Sequence, residues 1–526
     1  MDMANIAVAE CLNIPINRIN VIVRRVGGGY GGKITRPSQL ACAASLVSHL
    51  QGKPCRFILP LQTNMKIAGM RIPTTCKFEI GVNHEGEIQY LKNIIYQNGG
   101  FTPNETNTVL TVEHFPSCYD SRRWYIQVNT VLTDIHSNTW CRAPFTTEGI
   151  AMIEYMMERI AFNLGKDPLE VRLLNMIKEN NPIPDMIDEL RKESNYDERV
   201  EEVKRFNQQN RWRKRAIKLL PMTVDIFYPG NYNSIVSVYH GDGSVTITHA
   251  GIEMGQGINT KAAQVCAYAF GIPLEKINVK PSASFLSPNA MITGGSIGSE
   301  CIGFATLKAC QIILERLKPV REKLNNPTWE TLVSEAHKLG LNLQATYMFS
   351  NINDVDVKPY KVYGVCVLEV EVDILTGNHD IRRVDLLEDT GRSLNPEIDV
   401  GQIEGAFVMG LGYWTSEKIV YDPDTGKLLT DRTWTYKPPG IKDIPADMRI
   451  YFRRNARNEF GVLQSKATGE PSLNLATVII HAFREAIRSA RLDAGYEDQW
   501  IEIENPCNVE NIFMAIGHKF EHFKLK

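Results

Sequence analysis

Two charged residues stand where chemistry could use them. Glu470 lies between Gly469 and Pro471, ahead of an apolar pattern through Leu473, Ala476, Ile480, Phe483 and Ile487. A carboxylate between a permissive glycine and a rigid proline can be a positioned general base, or a helix-terminal charge stabilised by the macrodipole. Arg142 sits in the nearly uncharged run 138–148. A guanidinium there suits an anion, a carbonyl oxygen, or simply a nearby carboxylate. Three glycine-rich runs are the other candidates. Gly27 to Lys33 satisfies G-x-x-x-x-G-K, but Ile34 follows where a nucleotide loop needs Ser or Thr for magnesium. Close backbone approach to another anionic or metal-bearing ligand competes there with a plain structural turn. Gly251-Ile-Glu-Met-Gly-Gln-Gly257 and Thr293-Gly-Gly-Ser-Ile-Gly-Ser-Glu300 each feed a helix N-terminus, whose free N–H groups can meet an anion.

Around these runs the pattern mixes helices and strands. Ala9-Glu-Cys-Leu-Asn-Ile-Pro-Ile-Asn-Arg-Ile-Asn-Val21 matches Ala267-Tyr-Ala-Phe-Gly-Ile-Pro-Leu-Glu-Lys-Ile-Asn-Val279, and an internal repeat outranks any single motif as a sign of architecture. The glycine turn that precedes the second copy would fall before Met1 in the first, so the chain is expected to begin inside a repeat. Strands are expected at 19–23, 55–59 and 77–82, with a core helix from Pro37 to Gly52. Thr147 is the expected N-cap of a helix carrying Ile150, Ile153, Met157 and Ile160 on one face. The polar stretch 176–215 reads as short helices and linker over a domain boundary. Beyond it, hairpins are expected at 235–249 and 365–387, helices at 259–271 and 301–316, and a helix start at Asp399.

A chain of 526 residues, 43% hydrophobic and 22% charged, fits a soluble protein of two or more domains. Its net charge of −2 gives no reason to expect nucleic acid or an anionic membrane as partner. Eleven scattered cysteines without a C-x-x-C pair point to reduced thiols in the cytoplasm. They also argue against a zinc ribbon or an iron–sulfur cluster within these residues. No apolar run reaches membrane-spanning length, and the first residues do not resemble a signal peptide.

Six stretches together resemble the molybdenum-cofactor portion of the xanthine dehydrogenase/aldehyde oxidase family, most nearly the animal aldehyde oxidases. They are Val26–Lys33, Cys141–Pro144, Gly251–Gly257, Thr293–Ser296, Asp399–Gly405 and Thr468–Pro471. Each is weak alone, and their shared order makes them specific. The resemblance implies an α+β fold of two molybdopterin-binding subdomains of the xanthine oxidase type, 1–200 and 201–526, with mixed sheets and glycine-rich loops opening helices. The active site would lie between them. It implies that Gly29, Tyr30, Arg142 and Gly295 lie beside the metal, Tyr30, Arg142 and Gly295 next to molybdenum itself. Met254, Gln256, Ser296, Ile297, Gly298, Gln402 and Thr468 match residues along the pterin and its phosphate. Glu470 matches the family's proton acceptor, which activates the molybdenum hydroxyl that attacks the substrate carbon.

Departures from the family pattern bear on substrate. Purine-oxidising members carry a glutamate at the position of Ile34 and an arginine in the segment near Leu110. Pro144 replaces an aromatic that flanks the substrate in those members, and Phe145 is its partial substitute. A site without those polar groups rejects a purine by a large factor. The resemblance therefore implies an aldehyde oxidase, acting on aldehydes and neutral N-heterocycles with water as oxygen source. A xanthine/purine dehydrogenase and an inactive, cofactor-less fragment are the alternatives. FAD and two iron–sulfur clusters of the 2Fe-2S type are expected on a missing N-terminal region or on partner subunits, and a homodimer is a further family expectation.

Overall fold

The computed structural model describes residues 1–354 and 356–523. Its centre is a four-stranded sheet in the order Asp447–Phe452, His379–Glu388, Tyr360–Asp373, Arg213–Ile226. The long strand Tyr360–Asp373 runs antiparallel to both of its neighbours. Both faces of this sheet are covered, which explains the unbroken apolar run Val365–Leu368. Val365 and Val367 pack with Ile187, Leu190 and Val203 on one face. Cys366, Leu368 and Val370 pack with Phe483 and Ile487 of the helix Val478–Asp493 on the other. The alternation follows directly from the two-residue period of a strand.

Ile187, Leu190 and Val203 come from the stretch read as linker. It folds into the helices Ile183–Glu193 and Tyr196–Gln209, and the second crosses the boundary expected at residue 200. Each has a polar outer face and an apolar stripe on the sheet, so its high charge describes a solvated surface rather than loose chain.

A three-stranded sheet pairs Thr74–Val82 antiparallel with Ile88–Gly100, and that strand parallel with Trp124–Leu132. The helix Thr146–Leu164 joins this sheet to the centre. Its Ile153, Met157 and Ile160 pack with Leu91 and Ile95, whereas Ile150 enters the central core. A second four-stranded sheet, in the order Gln344–Ser350, Asn231–Val238, Val245–His249, Ile277–Val279, carries the helices Ile258–Phe270 and Gly298–Lys323. Both expected hairpins are present here and in the central sheet. No helix among the described residues is long and apolar enough to cross a membrane.

The internal repeat is a repeat of structure. Asn13 and Gly271 both end their helices in the left-handed region, at φ 51° and 68°. Ile14 N–H donates to the Ala9 carbonyl as Ile272 N–H donates to that of Ala267. The copies also meet, because Ile22–Val23 of the first pairs with Ser282–Ala283 just beyond the second.

Several local expectations need correcting. Only Ile22–Val23 of the first expected strand is paired. Residues 55–59 form no strand; Pro54 and Pro60, which offer no N–H to a ladder, bracket them. Helix Pro37–Gln51 is not core: none of its residues is buried, and Leu46, Val47 and Leu50 are exposed. Thr147 is not an N-cap. Phe145 holds that position at φ 68°, and the Thr146 and Thr147 hydroxyls both donate to the Ala143 carbonyl instead. The helix expected at Asp399 begins at Pro396, where the Asn395 side chain accepts from Ile398 N–H at 3.1 Å.

Candidate functional site

The loop 138–145 and the turn before Pro471 come together because Arg142 ties them. Its Nε–H donates to the Gly469 carbonyl, and its Nη2 donates to the Gln402 carbonyl at 3.0 Å. The same residue's backbone N–H donates to the Tyr30 carbonyl at 2.6 Å, and its guanidinium lies 5.7 Å from the Tyr30 ring centre. One side chain thus joins the first glycine run to two segments of the second half. Burial pushes the Arg142 guanidinium below its ordinary value, and no carboxylate lies within 4.0 Å of it among the described residues. That leaves a buried positive group suited to a carbonyl or an anion.

Glu470 stands at the N-terminus of the short helix Pro471–Leu475. Its Oε1 accepts from Ala143 N–H at 3.0 Å and its Oε2 accepts from the Ser296 hydroxyl at 3.2 Å. The Ala143 carbonyl is itself approached by the hydroxyls of Thr146 and Thr147, each of which shares its one proton between that oxygen and Asn474 Oδ1 at 3.0 Å. The carboxylate is therefore aimed from both halves of the chain.

These groups line a cavity of about 360 Å³. Gly29, Tyr30, Arg142, Met254, Gln256, Gly295, Ser296, Gly298, Gln402, Thr468 and Glu470 all reach it. Ile297 does not; its side chain is buried in the central core. Ile34, Leu110, Pro144 and Phe145 also lie outside it, and Pro144 and Phe145 line a separate small hollow beside Arg71.

The Gly251 run does not offer its helix N-terminus to a ligand. Glu253 already fills that place, accepting from the N–H groups of Gly255, Gly257 and Asn259. Gln256 is likewise committed to its loop, accepting from Met254 N–H and donating to the Ile252 carbonyl, both at 2.8 Å. The Thr293 run differs, because the helix Gly298–Lys323 has no side-chain cap. Gly295 there takes φ 64°, with open space where a Cβ would point.

Sequence reasoning missed Lys261, Glu300 and Lys466, which also line the cavity. Lys261 pairs with Asp399 at 2.7 Å, and Asp399 also accepts from Thr468 at 3.0 Å. Lys466 pairs with Asp389 at 2.7 Å. Glu300 and Lys466 stand inside or beside the glycine motifs, and that position was the available signal; Lys261 carried none.

Beneath Glu470, Ser472 donates to Glu388, which is fully buried and whose Oε1 has no partner among the described residues. Burial pushes the Glu388 carboxyl up to about 8, and that of Glu300 up to about 7. A carboxyl raised in the folded state stabilises the fold while protonated, and that stability is lost as pH rises from the unfolded value through the folded one. For Glu388 the window runs from 4.5 to about 8. Glu388→Gln, which mimics the protonated form, is expected to raise the melting temperature by a few degrees at pH 9 and to change it little at pH 5. An equal shift at both pH values would contradict the assignment.

Residues 2–176 and 189–445 each match the description "Molybdopterin cofactor-binding domain". The chain is 36% identical to xanthine dehydrogenase/oxidase of Mus musculus and 35% identical to aldehyde oxidase 3 of the same species, each over 98% of this chain. It spans about 40% of the length of those relatives. Among solved structures, quinoline 2-oxidoreductase from Pseudomonas putida 86 is similar with a TM-score of 0.86 and 21% identity, over 98% of this chain and 70% of that one. The aldehyde oxidoreductase from Desulfovibrio gigas is similar with a TM-score of 0.80 and 20% identity, over 97% and 56% respectively. At those identities the structures speak for the fold alone. Two domain matches that between them take in both sides of the cavity identify the chain: it belongs to the molybdopterin cofactor-binding family, with two such domains of the xanthine oxidase type.

Proposed function

We propose that this chain is the molybdenum-cofactor portion of an enzyme that oxidises aldehydes to carboxylic acids with water as the oxygen source. The observation that carries the reading is Glu470, held by Ala143 and Ser296 at the wall of a cavity lined by glycine loops from both halves. The cavity fits a flat cofactor. A Cβ on Gly469 would come 2.8 Å from the Ser296 hydroxyl, and Gly29 is similarly close to Met254, so both loops arrive as bare backbone. Gly29, Tyr30, Arg142 and Gly295 would stand beside the metal, with Met254, Gln256, Ser296, Gly298, Gln402 and Thr468 along the pterin. Two units, 1–200 and 201–526, would share the site.

The cofactor, when bound, supplies the two-electron oxidation and activates water. The protein supplies the rest. Glu470 takes a proton at Oε1 or Oε2, and the N–H and O–H donors that hold it keep either oxygen in place before and after transfer. Arg142 offers its remaining donor, Nη1, to a carbonyl oxygen at the cavity, because Nε and Nη2 are already engaged. Electrons would leave through FAD and two iron–sulfur clusters on regions or partner subunits outside this sequence, in an assembly that we also propose to be a cytoplasmic homodimer.

Aldehyde rather than purine specificity rests on the resemblance alone, which sets Ile34 and Leu110 where purine-oxidising members carry charged residues; neither side chain lines this cavity. Similarity alone favours neither, since xanthine dehydrogenases and an aldehyde oxidase match almost equally. Turnover of benzaldehyde against xanthine decides between them. Oxidation of benzaldehyde with no detectable urate from xanthine is the expected result, and the reverse preference would overturn it.

A further inference from the structure

A second cavity, of about 330 Å³, lies away from the cofactor site, where helices of the first half meet the edge strand Arg213–Ile226. Its floor is a buried charge cluster. Arg172 donates to Glu154 at 2.7 Å and to Glu158 at 2.8 Å, and Lys218 lies 3.3 Å from Glu158 and 3.6 Å from Glu485.

Two groups in this cluster are left over. Arg484, only 7% exposed, donates to the Ile501 carbonyl at 3.1 Å and lies 4.3 Å from the Trp500 ring centre. Unlike its neighbours it has no carboxylate within 4.0 Å among the described residues. His481, 2% exposed, shares its Nδ1 with Arg484 at 3.2 Å. Its Nε2 has no partner among the described residues. With Nδ1 accepting from a guanidinium, the ring proton is placed on Nε2, so the unpartnered atom is a donor.

The surroundings of these groups are electropositive. Although burial alone would raise it, the Glu158 carboxyl is held well below its ordinary range by Lys218 and Arg172. Burial and nearby cations push His481 well down, and burial lowers Arg484. Seven lysine and arginine side chains line the cavity against three of aspartate and glutamate, and that excess makes its potential positive. Among walls that also carry charged side chains, Phe162, Leu169, Tyr196 and Trp500 supply an apolar and aromatic part.

We propose that this cavity is a binding site for a small organic carboxylate with a flat apolar body. The carboxylate would be received by Arg484, the Nε2–H of His481 and Lys218, and the body would lie against Trp500 and Tyr196. A buried guanidinium with a free carboxylate-shaped demand gains most from such a partner, and aromatic walls favour a ring over a bare inorganic ion.

Calorimetric titration of the full chain with 2-naphthoate and with inorganic phosphate tests it. Saturable binding of one naphthoate, with phosphate at least tenfold weaker, is expected. Arg484→Met should weaken naphthoate at least tenfold, whereas Glu470→Gln should leave it unchanged, which separates this site from the cofactor cavity. If Arg484→Met fails to fold, Glu485→Ala serves instead; at a half-exposed position it removes one of the two carboxylates that compete for Lys218, leaving Glu158, and should tighten naphthoate. No binding, phosphate preferred over naphthoate, or affinity unmoved by a folded Arg484→Met or Glu485→Ala would each overturn the proposal.

Discussion

Glu470→Gln is expected to lower turnover by about 10²–10⁴-fold, the contribution typical of a positioned general base, while molybdenum and pterin content stay unchanged. The substitution separates chemistry from structure. An amide carbonyl can still accept from Ala143 N–H, and the amide nitrogen can donate to the Ser296 hydroxyl, so both contacts that aim the side chain survive. Only the ability to accept a proton at neutral pH is lost. Turnover within tenfold of the parent, at equal cofactor content, would remove Glu470 from the base's role. Loss of cofactor together with activity would instead make it a structural residue of the loop.

The largest expected effect on stability lies elsewhere, at Arg172. The guanidinium is 2% exposed and joins Glu154, which is fully buried, to Glu158. Arg172→Met leaves those two carboxylates facing each other without their shared cation. Breaking a buried pair from one side costs about 3–5 kcal/mol, so the variant should melt many degrees lower or fail to accumulate in soluble form. Tyr119 still donates to Glu154 and Lys218 still approaches Glu158, which sets a limit on the damage. Adding Glu154→Gln to Arg172→Met should restore part of the loss. A melting temperature unchanged by Arg172→Met would mean that the cluster contributes nothing net.

Much of this arrangement was legible in the sequence because its signals are local. The repeat, both hairpins and the glycine runs ahead of Ile258–Phe270 and Gly298–Lys323 depend on turn chemistry and short-range periodicity. What was not legible is what a distant segment decides. The Gly251 run carries the pattern of an anion site, yet Glu253 within the motif closes on its own helix N-terminus. Helix Pro37–Gln51 has core spacing and no buried residue, since burial is set by neighbours rather than by pattern. The charged stretch 176–215 concealed two packed helices, because composition counts the wet face as well as the dry one. At the site, Glu470 and Arg142 were visible as isolated residues. That Arg142 fastens Gly469 and Gln402 could not be read across separations of more than two hundred residues.

The cavity lined by glycine loops from both halves of the chain is expected to house a molybdenum–pterin cofactor. The most direct test is elemental and pterin analysis of the native protein, captured from its source with an antibody to the Glu470 region. About one molybdenum and one pterin per chain is the predicted result. Neither, in protein that is folded and otherwise intact, would contradict the account and leave the cavity with another occupant.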